Sequence, residues 1–128
     1  MSLILIVEDN DKNMKLVRDL LQVKGYTTVE AVTGEDGVRL ARERRPDLVL
    51  MDIQLPGING IEALQQLRAD PATAAIPVIA VTASVMQHDR KRIMDAGFDA
   101  YVGKPLNVKE FLAAVVDALA APGAAGSP

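Results

Sequence analysis

Two periods of hydrophobicity alternate along the chain. Unbroken apolar runs stand at Leu3–Val7, Leu48–Met51 and Val78–Val81, with weaker ones at Thr27–Val32 and Ala100–Val102. Continuous rather than alternating apolar character suits strands covered on both faces, as parallel strands are. Between the runs lie stretches at helical spacing. Met14, Val17, Leu20 and Leu21 make one stripe, closed by Gly25 as a C-cap. Val38 and Ala41 mark a second that ends before Pro46, and Ile61, Leu64 and Leu67 a third, halted by Pro71. Met86, Ile93 and Met94 fit a fourth ending at Gly97, and Phe111, Leu112, Val115, Val116 and Leu119 form the last, with Asn107 as its N-cap.

Strands that alternate with helices and cross over right-handedly build an α/β fold. The expectation is a doubly wound, five-stranded parallel sheet between five helices, in the common order 2-1-3-4-5 of flavodoxin-like chains. Residues 1–120 are read as one domain, and the small residues from Ala121 to Pro128 as a flexible tail.

Composition narrows the function classes. The chain has 128 residues, which suits one compact unit, and a formal charge of −3, which disfavours a direct nucleic-acid binder needing a broad basic face. The short basic run Arg42, Arg44 and Arg45 reads as a solvated helix end with cations near the C-terminal dipole. The absence of cysteine excludes disulfides and thiolate chemistry. The opening apolar run is too short for a signal-peptide core or a membrane span, so a soluble cytoplasmic protein without membrane contact is expected. There is no tryptophan, and only 3% of residues are aromatic, which argues against base-stacking platforms.

In a doubly wound sheet, ligands bind outside the carboxyl ends of the strands. The residues that close each apolar run are therefore the candidates for chemistry. The first run ends in Glu8 and Asp9, the third in Asp52, the fourth in Thr82 followed by the small Ala83, and the fifth leads to Lys104 and Pro105. Each has an ordinary structural reading taken singly. Acidic residues at strand ends commonly cap the next helix, as Asp9 or Asn10 could; a threonine there is commonly a turn residue, and Lys–Pro is commonly a loop. All five after the right runs make a pattern.

Three clustered carboxylates raise one another's pKa unless something compensates, and a hard cation with oxygen ligands does so. Mg²⁺ is the expected cofactor, with Asp9 and Asp52 as direct ligands, Glu8 through water, and the backbone carbonyl of Gln54 completing the protein's share. Asp52 has a second use as a nucleophile toward phosphorus. Phosphoryl transfer asks for positioning and charge neutralisation, which Lys104 supplies as a point charge and Thr82 as a hydroxyl donor.

These residues resemble the receiver domain of two-component response regulators, from Leu3 to Leu119. The matching runs are ILIVEDN (Ile4–Asn10), DLVLMDIQLPGINGIE (Asp47–Glu62), PVIAVTA (Pro77–Ala83) and AYVGKP (Ala100–Pro105). The resemblance implies that Asp52 is the phosphoacceptor, that Glu8 and Asp9 form the acidic pair, and that Thr82, with Ala83 beside it, and Lys104 hold the phosphoryl group. It further implies that Tyr101 is an aromatic switch residue and that the Lys104–Pro105 bond is cis. The stretch Glu8–Met14 is similar to the subset found in hybrid kinases and single-domain cell-cycle regulators. The implied function is a phosphorylation-dependent switch rather than an enzyme. Its expected partners are a histidine kinase or histidine phosphotransfer protein upstream and an unidentified protein target downstream, with the chain monomeric or weakly dimeric.

Three rival readings fit the residues less well. A Mg²⁺-dependent phosphohydrolase would want a second acid two residues after its nucleophile, and Gln54 stands there. A flavin carrier would want a Ser/Thr/Gly-rich loop after the first strand, where Glu8, Asp9, Asn10 and Asp11 stand. A receiver that binds partners without phosphorylation is opposed only by the completeness of the acceptor set. Gln54 and Ser84 fall where an attacking water would pass. His88, the only histidine, reads as a solvated surface residue, so the phosphodonor histidine belongs to a partner.

Overall fold

In the computed structural model, residues 2–83 and 87–120 are described; Ser84, Met86 and the expected tail at 121–128 lie outside them, as does the side chain of His88. The order of elements is β1 (Leu3–Val7), α1 (Asp11–Val23), β2 (Thr27–Ala31), α2 (Gly34–Arg44), β3 (Leu48–Asp52), α3 (Gly60–Ala69), β4 (Val78–Thr82), α4 (Gln87–Asp95), β5 (Ala100–Gly103) and α5 (Val108–Ala120). All strand pairs are parallel, and the sheet runs β2-β1-β3-β4-β5 as expected.

Local chemistry sets the helix ends. Asn10, not Asp9, caps α1, its side chain accepting from the Asn13 N–H at 3.0 Å. Thr33 caps α2 in the same way. At α3, Asn59 and Glu62 form a reciprocal capping box. Asn107 accepts from the Glu110 N–H at 3.0 Å at the start of α5. Each such cap contributes about 1 kcal/mol. Beyond α1, Gly25 takes a φ of +89°, a conformation glycine reaches without steric cost.

The sheet divides the apolar side chains between two layers. Leu48 and Leu50 of β3 join Met14, Val17 and Leu21 of α1 and Phe111 and Val115 of α5. Val49 and Met51 face the other way, toward Val38 of α2, Leu64 and Leu67 of α3 and Ile93 of α4. All five residues of β3 are buried, as a central parallel strand requires. Two helical positions depart from the apolar stripes. Met94 and Val116 are 42% and 54% exposed, because α4 and α5 each turn only a narrow face to the sheet. Val32, expected at the end of the second strand, lies just beyond it and is exposed.

The candidate phosphoacceptor site

Strand register brings the candidate residues together. Val7 of β1 lies beside Met51 of β3, so Glu8 and Asp52, one step further along each chain, emerge at the same edge. Asp52 in turn pairs with Val81, which places Thr82 next to it. Thr82 pairs with Gly103, and Lys104 follows at once, its N–H donating to the Thr82 carbonyl at 2.8 Å. The edge lies between β1 and β3, where the order of strands reverses and the flanking loops part.

Carboxylate oxygens of Glu8, Asp9 and Asp52 lie within 4.8 Å of one another. Glu8 and Asp52 are buried and Asp9 is exposed. Lys104 Nζ bridges the buried pair, 2.8 Å from Glu8 Oε1 and 3.0 Å from Asp52 Oδ2. The other oxygen of each is held by backbone: the Gln54 N–H donates to Asp52 Oδ1 at 3.1 Å, and the Asn10 N–H to Glu8 Oε2 at 3.1 Å. Burial pushes the Glu8 carboxyl above its ordinary range, and the hydrogen bond and charge of Asp52 add to the rise against the opposing pull of Lys104. Burial draws the Lys104 ammonium down, but hydrogen bonds to Glu8 and Asp52 outweigh it and hold the group above its ordinary value.

Three carboxylates against one ammonium leave this edge strongly negative, and their oxygens are close enough to share one hard cation. Asp9 is exposed, and Asp52, though buried, brings a carboxylate oxygen into the same cluster, so both are placed as candidate ligands. Both oxygens of Glu8 and both of Asp52 are already engaged, so a cation at this edge would share them with Lys104 and the backbone N–H groups. The residues present therefore fit Mg²⁺.

A cleft of about 660 Å³ opens beside Asp52, lined by Asp9, Gln54, Pro56, Asn59, Thr82 and Arg92 among others. Thr82 is buried at its wall, and Ala83 is exposed at the bend that follows. The Lys104–Pro105 peptide is cis. Tyr101 is half-buried against the α4-side core, with the Arg90 guanidinium 5.2 Å above its ring. Sequence reasoning did not single out Asn59, Arg90 or Arg92. The Asn59–Glu62 spacing was a readable cap signal, whereas the two arginines reach the site only through the phase of α4, which the weak apolar pattern there left undetermined.

Residues 4–116 match the family described as the response regulator receiver domain. The chain belongs to that family. As a receiver domain it is 50% identical over 109 residues to the polar-differentiation response regulator DivK of Brucella anthropi, covering 85% of this chain and 89% of the relative. DivK of Brucella ovis is 49% identical over the same length. Among solved structures, the receiver domain of a sensor histidine kinase of Pseudomonas aeruginosa, with a magnesium ion coordinated in its active-site cleft, superposes with a TM-score of 0.87 at 32% identity. That match covers 94% of this chain and 98% of the other. A CheY-like receiver domain protein from Methanospirillum hungatei gives 0.82 at 28% identity, covering 93% and 94%. The receiver family and the flavodoxin-like order thus agree with the sequence reading. Among the described residues, no helix is long and apolar enough to cross a membrane.

Proposed function

We propose that this receiver domain accepts a phosphoryl group on Asp52 from a phosphohistidine of a histidine kinase or phosphotransfer protein, and signals by altering its surface for another protein. The observation that carries the reading is the convergence of Glu8, Asp9 and Asp52 around one point, with Lys104 Nζ 3.0 Å from the acceptor carboxylate. In the transfer, an Asp52 oxygen forms a bond to phosphorus while the phosphorus–nitrogen bond to the donor imidazole breaks, and the imidazole leaves with the electron pair. Asp9, Asp52 and the Gln54 carbonyl would hold Mg²⁺, which would neutralise charge on the phosphoryl oxygens. Lys104 is already seated beside Asp52 and can turn its ammonium from the carboxylate to a phosphoryl oxygen. Thr82 stands at the wall of the cleft to donate to another.

The donor's approach has support on the other layer. Leu16, Leu20 and Val23 of α1 and Val108 and Leu112 of α5 line an exposed apolar groove of about 330 Å³, suited to an amphipathic helix of the donor protein. Phosphorylation then biases a two-state equilibrium in which Thr82 and Tyr101 reposition, changing the face formed by α4, β5 and α5. The bias is no larger than the difference in how the two states interact with the phosphoryl group. The chain acts as a switch whose own chemistry is limited to taking up and losing phosphate.

The test is incubation with Mg²⁺ and acetyl phosphate, followed by intact mass of the parent and Asp52→Asn. The expected result is one phosphoryl on the parent and none on the mutant. No gain in either, with acetyl phosphate and with a cognate phosphotransfer protein, favours a receiver that works without phosphate.

A further inference from the structure

The contact between Arg90 and Tyr101 has no part in phosphoryl transfer, yet it joins a helix to the residue assigned as the switch. Tyr101 lies on β5 in register with Ala80 of β4, on the sheet face covered by α4. Its ring packs against the core that contains Ala80, Ile93 and Phe98. Ile93 is buried in that core and anchors α4 to the sheet. Arg90 precedes it by three residues, so it projects from the same side of the helix, one turn back. That geometry sets its guanidinium 5.2 Å over the Tyr101 ring, where the negative face of the π system attracts it. Arg90 is itself exposed, so the cation needs little desolvation to stay there.

We propose that Arg90 is a positioning residue that latches Tyr101 in its present half-buried position and thereby sets the threshold of the switch. The inference rests on the proposed role of Tyr101. Any reorientation of the ring must give up the guanidinium or carry the first turn of α4 with it. The latch therefore does two things: it opposes the change of state, and it transmits ring movement to the helix. A cation over a tyrosine at an exposed site shifts an equilibrium about two- to fivefold, a size that tunes a switch without locking it.

The chain offers a direct probe, because it has no tryptophan and two tyrosines, Tyr26 and Tyr101. In a Tyr26→Phe background, ultraviolet emission reports Tyr101 alone. Two measurements are made on the full chain as Arg90→Gln and Arg90→Lys: acrylamide quenching without ligand, and titration with beryllofluoride and Mg²⁺ as a phosphoryl mimic, followed by the same emission. Arg90→Gln is expected to expose the ring to the quencher and to lower the beryllofluoride midpoint about two- to fivefold. Arg90→Lys, which keeps a cation, is expected to lie closer to the parent in both.

Unchanged quenching in Arg90→Gln overturns the latch. Raised quenching with an unmoved midpoint, or no emission response to beryllofluoride in the parent, overturns its coupling to the switch. Equal behaviour of the Gln and Lys variants replaces the cation–ring attraction with simple packing. The intact-mass test of Asp52 is read separately. Loss of phosphorylation there would sink the proposed function while leaving the ring contact measurable by quenching.

Discussion

Gly60 offers the most exacting test of how the fold holds Asp52. It opens α3 immediately after the Asn59 cap, and its N–H donates to the Ile53 carbonyl at 2.9 Å. A Cβ added there would stand 2.3 Å from the Asp52 carbonyl oxygen and 2.9 Å from Ile53 Cα, both backbone atoms. No rotamer can relieve such a clash. A carbon–oxygen contact ordinarily rests at about 3.3 Å, so α3 and the end of β3 must part by roughly 1 Å. Overpacking of this kind costs about 1–3 kcal/mol, and a contact with backbone belongs at the upper end. Alanine returns up to about 1 kcal/mol through its better helix propensity, so Gly60→Ala is expected to lose about 2 kcal/mol in urea denaturation. If Asp52 is the acceptor as proposed, moving it by roughly 1 Å should also slow phosphorylation by acetyl phosphate as much as about 100-fold. Gly25→Ala is the control, because a Cβ there meets nothing within 4 Å and the cost is only that of its positive φ. It should lose about 1–2 kcal/mol and keep the parental phosphorylation rate. A Gly60→Ala protein within about 0.5 kcal/mol of the parent, phosphorylated at the parental rate, would refute the claim that this packing positions Asp52.

Two further predictions concern the charges at the site. Mg²⁺ should raise the thermal unfolding midpoint, with stabilisation approaching about 2.7 kcal/mol at a hundredfold excess over the dissociation constant, and Asp9→Asn should remove most of it; an equal shift in the mutant would show that Asp9 is not a ligand. The raised pKa of Lys104 means that its ion pairs stabilise the fold fully below its ordinary 10.5 and lose that contribution as pH climbs through the folded value. The stability gap between the parent and Lys104→Gln, measured by denaturant melts, should therefore hold up to about pH 10 and narrow only above it, and a constant gap at higher pH would contradict the ion-pair account.

The sheet was readable because parallel strands buried on both faces leave runs such as Leu48–Met51, which no surface helix would carry. The acidic cluster was readable for a related reason. When strands are parallel and in near register, residues that end separate apolar runs meet at one edge, as Glu8, Asp52 and Thr82 do. What escaped were features fixed by helix phase and close approach. Arg68 donates to the carbonyls of Ala74 and Ile76 and pairs with Asp99, whose carboxylate also accepts from the Val78 N–H. This clamp ties the start of β4 to the end of α3, but its members are up to 31 residues apart and carry no local pattern. Gly60 looked like any loop glycine, because only the path of the backbone shows that the Asp52 carbonyl occupies the space a side chain would need. The stripes of α4 and α5 overstated burial at Met94 and Val116, since periodicity tells which side faces inward but not how wide the covered strip is.

The sheet is also a partition. α1 and α5 pack against one side of it, and α2, α3 and α4 against the other. A protein lodged in the α1–α5 groove and one resting on the outer side of α4 would be held apart by two helical layers and the strands between them. A target resting on α4 alone could therefore bind while a donor is seated, whereas one that also used α5, which borders the groove, would compete with it.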